Sequence, residues 1–501
     1  MDSLRLAGKL LGIDISGPQL DDETRKHLER HAFGGVCLFR KNIQNRSQVA
    51  QLVGEIRAIL GPQAWISIDQ EGGAVLRTSD LPQAPSAMAL GAVGAPTLAE
   101  AVGGAVGRGL ISLGINWNYA PCLDVNTDPR NPVIGERSFG SDPKRVAELG
   151  LAWAKSLQSA GVIATAKHFP GHGHTYLDSH LALPRVDKPR EVLEGLELYP
   201  FRKAVEAGIP AIMTAHIIYS QLDPENPATL SRAILSGLLR QEWGYDGVIV
   251  TDSMLMKAIA AHYPAGQAAV RSLQAGADVV LALGSWETKL QQVQAVARAI
   301  ESGEISQARV GESVQRLEQL EQHFPGRPRP YSTEPADLAL MDEAARRSIT
   351  AYAEPRLPQP TDRVLLVAPR STVGENVYES LPTTEHLAYH LASVFDLEVL
   401  AYAPENPQSY LPEVNAKALQ ADFLLFATTA RGFLSEGEIR LGQAVFKLGK
   451  PAVHLALWNP YQVMTLGQPA LISYGFREPA LRALARVLQG QPAPGNLPIY
   501  V

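Results

Sequence analysis

Short apolar runs punctuate the first two thirds of the chain. Residues 10–15, 35–39, 65–69, 115–119, 163–168, 211–216, 248–252 and 279–283 are brief, rich in branched or aromatic side chains, and bounded by turn formers, so they read as strands. The stretches between them carry helical periodicity. Val146, Leu149, Ala152 and Leu157 fall on one face, as do Leu290, Val293, Val296, Ala297 and Ile300. Eight such β/α units within residues 1–325 predict a (β/α)8 barrel of the TIM type, with a large doubly wound sheet as the alternative. Residues 326–361 read as a linker: Pro325-Gly326-Arg327-Pro328-Arg329-Pro330 is stiff and extended, and a short helix is expected over 336–352 before Pro355, Pro358 and Pro360. A second α/β pattern fills 362–501, with strands at 364–367, 397–400, 423–427, 453–457 and 471–474 and helices such as 387–394 and 480–488.

Composition narrows the class. A length of 501 residues suits two to three domains, and 46% apolar residues is an ordinary globular share. The net charge of −6, without a long single-sign run, argues against a nucleic-acid or anionic-membrane partner. Cys37 and Cys122 are too few for a disulfide framework and suit a reducing compartment. The N-terminal residues lack a signal-peptide core, and no apolar run approaches the roughly 18 residues of a membrane span. The expectation is a cytoplasmic protein, a monomer or weak homo-oligomer.

Chemistry gathers where strands end. Asp69, Asn118, Lys167 with His168, His216 and Asp252 each lie at or just beyond an apolar run, and barrel active sites are built at that rim. The densest segment is Lys167-His168-Phe169-Pro170-Gly171-His172-Gly173-His174-Thr175-Tyr176-Leu177-Asp178-Ser179-His180. Its glycines and proline forbid a helix and predict a loop that is mobile without substrate. So many histidines also admit a metal-dependent barrel hydrolase, with His172, His174 and His216 as the ligand candidates. A non-catalytic carbohydrate-binding barrel is a third reading. Taken singly, Asp252 also reads as a helix N-cap, Asp178 and Ser179 as turn formers, and Arg137 and Asp69 as a structural ion pair.

These motifs bring in a family. With Asp69-Gln70-Glu71-Gly72-Gly73, Ile134-Gly135-Glu136-Arg137-Ser138-Phe139, the 167–180 block and Gly247-Val248-Ile249-Val250-Thr251-Asp252-Ser253-Met254, the chain resembles glycoside hydrolase family 3. The Asp178-Ser179-His180 end points to its bacterial β-N-acetylglucosaminidase branch. Gly449-Lys450-Pro451, Asn459-Pro460-Tyr461 and Gly495-Asn496-Leu497-Pro498-Ile499 resemble the family's C-terminal α/β sandwich domain. The resemblance implies a retaining, exo-acting β-N-acetylglucosaminidase that needs no cofactor or metal and takes a small GlcNAc-containing glycoside. Asp252 would be the nucleophile, with His180 and Asp178 the acid–base dyad. Asp69, Arg77, Arg137, Lys167 and His168 would bind the sugar, with His216 a further candidate. Ser253 departs from the acidic residue usual after the nucleophile. Glucosidase, xylosidase and phosphorylase activities within the family stay open, as does the natural aglycone: muropeptide, chitin fragment or other. In the C-terminal domain Glu436 and Glu438 are the nominated carboxylates, and no chemical role is expected of them.

Overall fold

The computed structural model describes residues 2–371 and 381–500. Eight parallel strands close into a barrel: β1 (Leu11–Ile13), β2 (Gly35–Leu38), β3 (Trp65–Ile68), β4 (Trp117–Asn118), β5 (Ile163–Phe169), β7 (Ala211–Thr214), β9 (Val248–Ser253) and β10 (Val279–Leu281), with β10 pairing back onto β1. Two short segments, β6 (Arg185–Val186) and β8 (Ile218–Tyr219), pair as a ribbon above the rim. Every strand read from the apolar runs of the first domain is a barrel stave. The runs are nearly continuously apolar because a parallel strand in a barrel is covered on both faces.

Helices between the staves follow from their caps and spacing. Asn45 caps Arg46–Leu60 by accepting from the Gln48 amide, and Val49, Leu52, Val53 and Ile56 turn one stripe toward the barrel. Asp142 caps Pro143–Ser159, where proline occupies the first turn without losing a bond. Trp65 and Trp117 fill the barrel floor, their rings edge-to-face at 5.0 Å, and the Trp117 indole donates to Thr165 Oγ1 at 2.7 Å. Gly35 is required beside them, since a Cβ there would come within 2.2 Å of the Trp65 ring.

The second domain is a six-stranded sheet in the order β11 (Thr350–Tyr352), β16 (Ala470–Ile472), β15 (Ala452–Ala456), β14 (Phe423–Thr428), β12 (Arg363–Pro369), β13 (Asp396–Tyr402). Only β11 runs antiparallel; helices cover both faces of the parallel strands. One expectation is corrected here. The helix placed at 336–352 spans Glu334–Ser348, and the next three residues form β11. The helical stripe ends at buried Ile349, and Thr350 favours the edge strand, where its hydroxyl accepts from Tyr474 at 2.9 Å. The helix itself lies against the barrel through the Arg46–Glu334 and Arg108–Asp337 ion pairs.

Candidate active site

A cavity of about 610 Å³ opens at the C-terminal ends of the barrel strands. Asp69, Arg77, Arg137, Lys167, His168, His180 and Asp252 all line it, although they come from segments up to 183 positions apart in the chain (252 − 69). The sheet brings them together: parallel staves end at one rim, so residues in the last positions of β5 and β9 and just after β3 converge there.

One wall is an alternating chain of charge. Lys167 Nζ donates to Asp69 at 2.7 Å and lies 2.6 Å from Glu71. Arg137 grips the same Glu71 with two nitrogens, at 2.8 and 2.9 Å. Arg77 approaches the other oxygen of Asp69 at 3.9 Å. Burial works against ionising Glu71, but Arg137 and Lys167 outweigh it and hold its carboxyl well below the usual range. Lys167 is buried too, which favours its neutral form, and Asp69 and Glu71 reverse that and raise its pKa. The pairing foreseen between Arg137 and Asp69 is thus replaced by one with Glu71. Glu71 escaped sequence reading because a buried carboxylate holding two cations looks, in sequence, like any turn residue two positions past a strand.

His168 extends the chain of contacts. Arg137 Nη2 lies 3.3 Å from His168 Nε2, and a guanidinium can only donate. Nε2 therefore accepts, and the proton on Nδ1 points at Asp124, 2.7 Å away. Asp124 is the second residue missed. Fully buried, it also receives the amides of His168 and His172 and the Cys122 thiol. Desolvation opposes its charge, but His168 and these donors prevail and lower its pKa to about 2. Its signal in the sequence is an aspartate in an apolar stretch following β4.

Asp252 is the penultimate residue of β9, its carboxylate accepting from the Ser253 amide at 2.6 Å. It is no helix cap: the next helix, Lys257–Ala260, begins after Met256. Burial would raise its pKa, yet His168, His216, His180 and the Ser253 amide together hold it below the ordinary aspartate value. His216 lies behind it, outside the cavity wall, where Nε2 donates to the Ser253 carbonyl at 2.9 Å and Nδ1 meets Thr229 at 2.7 Å. The geometry gives His216 a place in fixing the backbone next to Asp252, in contrast to the sugar contact expected of it.

His180 reaches the cavity from the 170–184 loop. Asp178 accepts both the His180 amide, at 2.8 Å, and His180 Nδ1, at 2.7 Å. The turn and the dyad are therefore one structure, and Nε2 is the ring nitrogen that Asp178 leaves available on the cavity wall. Asp178 is itself just behind the wall; desolvation opposes its ionisation, and the bonds to His180 lower its pKa overall. Within the loop His172 Nε2 meets Ser179 Oγ at 2.7 Å, and the loop docks on the barrel where the Ala258 amide donates to the Ser179 carbonyl and the Thr127 amide to the Gly173 carbonyl, both at 3.2 Å. Burial lowers the pKa of His172 to about 4, so this strut is neutral. Asn118 does not reach the cavity; its amide group ties the backbone of Gln70 at 2.9 Å.

The histidines do not converge on a common point. His172 bonds Ser179 and Thr175, His174 bonds Thr127 and His216 bonds Thr229 and Ser253. Among the described residues, Cys122, Asp124 and His168 do bring three donor atoms within 4.8 Å, but these are already bonded to one another. In the second domain, neither nominated carboxylate lines the cavity: Glu438 closes a capping box with Ser435, and Glu436 is exposed on the same helix.

Comparison with known proteins agrees with this layout. Residues 5–320 match the family described as Glycosyl hydrolase family 3 N terminal domain. Beta-hexosaminidase A of Pseudoalteromonas piscicida is 31% identical over 96% of this chain and 91% of its own length. A beta-hexosaminidase of Tolumonas auensis is 40% identical over 54% of this chain and 82% of its own length. Among solved structures, a glycoside hydrolase family 3 beta-N-acetylglucosaminidase from Paenibacillus sp. str. FPU-7 superposes with a TM-score of 0.94 at 36% identity, covering 100% of this chain and 99% of that one.

Proposed function

Since the chain belongs to glycoside hydrolase family 3, we propose that it is a retaining, exo-acting β-N-acetylglucosaminidase that releases terminal β-linked GlcNAc. The observation that carries this reading is the shared cavity: Asp252 and the Asp178-backed imidazole of His180 face it, and Asp69, Lys167 and Arg137 form a wall, the two cations tied together by Glu71 behind them. The relatives named beta-hexosaminidase and beta-N-acetylglucosaminidase support the choice of sugar.

Retention requires two displacements at the anomeric carbon. In the first, a carboxylate oxygen of Asp252 bonds to that carbon while the glycosidic C–O bond breaks. His180 Nε2 gives its proton to the departing oxygen, and Asp178 on Nδ1 stabilises the imidazolium that donates. In the second, His180 takes a proton from water, and the resulting hydroxide character attacks the same carbon and frees Asp252. The histidines and amide that hold Asp252 ionised keep it ready as nucleophile at neutral pH. Asp69 accepts from sugar hydroxyls, while Lys167, Arg137 and Arg77 donate to hydroxyl and acyl oxygens.

A 2-fluoro or otherwise slowed glycosyl donor should label Asp252 covalently, with the β configuration kept in the released sugar. Asp252→Ala should remove nearly all turnover without unfolding the chain. Mass spectrometry of the labelled peptide and NMR of the first-formed anomer read the two halves; a label elsewhere, or an inverted product, rules the mechanism out.

A further inference from the structure

The cavity is lined by barrel residues, and among the described residues none of the second domain lines it. That domain nevertheless touches the turns from which two sugar-facing elements spring. Arg477, buried at the start of the Glu478–Leu488 helix, donates Nε to the Gly73 carbonyl at 2.7 Å and reaches the Ala74 carbonyl at 3.4 Å. Ala74 and Val75 are packed within the apolar core of the second domain. The turn they form is tight: the amides of Glu71 and Gly72 both donate to the Val75 carbonyl, at 3.0 and 3.2 Å. Fixing 73–75 therefore fixes Glu71, the carboxylate shared by Arg137 and Lys167.

The second contact is at the turn Gly135–Arg137. Asn459 lies so close to Gly135 that a Cβ would meet its Nδ2 at 2.4 Å, and that Nδ2 is held by the Arg431 carbonyl. The indole of Trp458 faces the Glu136 carboxyl, one residue before Arg137, and both are buried. Tyr461 continues the contact by accepting from Asn126 Nδ2 at 2.7 Å, close in sequence to Asp124. Burial raises Glu136 to about 7, outweighing the Trp458 indole and the neighbouring Arg137, both of which favour its charge. The loop bearing Asp178 and His180 is docked on the barrel's own segments, at 257–258 and, through Gly173, at Thr127, and makes no contact with Arg477 or Trp458 among those described.

Resting on the reading of the barrel as a GlcNAc glycosidase, we propose that Arg477 and Trp458 are positioning residues. They act through Glu71 and Arg137 to hold the sugar-binding wall in register, and the second domain shapes affinity for the glycon without touching it. Such a role affects ground state and transition state alike, so it appears in KM more than in kcat.

In the full-length protein, Arg477→Met should raise KM for an aryl β-N-acetylglucosaminide tenfold or more, with kcat within threefold. Arg477→Lys, which keeps the charge and one donor, should be affected less. Trp458→Phe fills nearly the same space without the indole N–H and should raise KM about threefold. Hydrogen exchange at 70–77 should quicken in Arg477→Met while 170–182 stays as in the parent. KM within twofold of the parent in folded variants overturns the proposal, as does an effect confined to kcat or to the yield of folded protein. If Arg477→Met does not fold, Trp458→Phe decides alone. A parent enzyme that does not cleave the aryl glycoside refutes the substrate assignment instead, and the positioning role is then decided by the exchange pattern.

Discussion

Nδ1 of His180 is taken by Asp178, so in the proposed mechanism the ring meets the leaving group through Nε2. That arrangement matters in proportion to how much help the departing oxygen needs. A sugar alkoxide requires the proton; a nitrophenolate scarcely does. His180→Ala should therefore abolish cleavage of GlcNAc oligosaccharides while losing far less of the glycosylation rate on an activated aryl glycoside. On the activated substrate the glycosyl-enzyme should accumulate, and azide should restore turnover. Asp178→Asn should do the same more mildly, since the amide cannot stabilise the imidazolium. Steady-state rates on a leaving-group series are the check; an equal loss across the series would make His180 a binding residue. At this scale the sequence was legible wherever a motif displays its chemistry. Asp252, His180, Asp178, Lys167 and Asp69 stand at strand ends or in a loop dense with titratable groups. Glu71 and Asp124 were not legible, because their function lies in burial and in partners 66 and 44 positions away, and neither leaves a mark on local pattern.

The 170–184 loop is constrained as an element by its close approach to the segment after β4. Gly173 has its α-carbon against the Val125 carbonyl, and a Cβ there would lie 1.9 Å from that oxygen. Its own carbonyl accepts from Thr127 at 3.2 Å. Gly173→Ala must push the loop outward, carrying Asp178 and His180 with it. The expected loss is tenfold or more in kcat/KM on a GlcNAc disaccharide and smaller on an activated aryl glycoside, as for the dyad variants. A variant as active as the parent on both would show the loop to be free to shift without cost. Strands were legible throughout because burial on both faces makes their apolar runs continuous. The helix at 334–348 was legible to within a few residues at its start, but β11 was hidden behind it. Three residues cannot display a period, and what makes them a strand is the edge of β16 alongside.

At the scale of the whole molecule, the interface between domains buries a carboxyl that does not favour charge. Glu136 holds its proton longer in the folded chain than in the unfolded one, so its favourable contribution is complete below the ordinary glutamate range and is lost as pH rises through about 7. Glu136→Gln has nearly the same shape and cannot ionise. It should match the parent closely in stability near pH 5 and exceed it at pH 8 by about 3 kcal/mol. Urea unfolding at the two pH values tests this, and a gap that does not widen with pH would contradict it. That the chain holds a barrel followed by a second α/β domain could be read from its sequence. How they meet could not, since Arg477 and Gly73 are 404 positions apart. Their meeting has a consequence for how such an enzyme can change over generations. The proposed sugar wall is tied to the second domain through Arg477, while the proposed acid–base histidine rides on a loop docked on the barrel's 125–127 and 257–258 segments, which the second domain reaches only at Asn126 among the contacts described above. Alterations to the leaving-group side can then accumulate, one loop residue at a time, without retuning the part that chooses which sugar is held. On the proposed mechanism, the two halves of specificity are separately heritable.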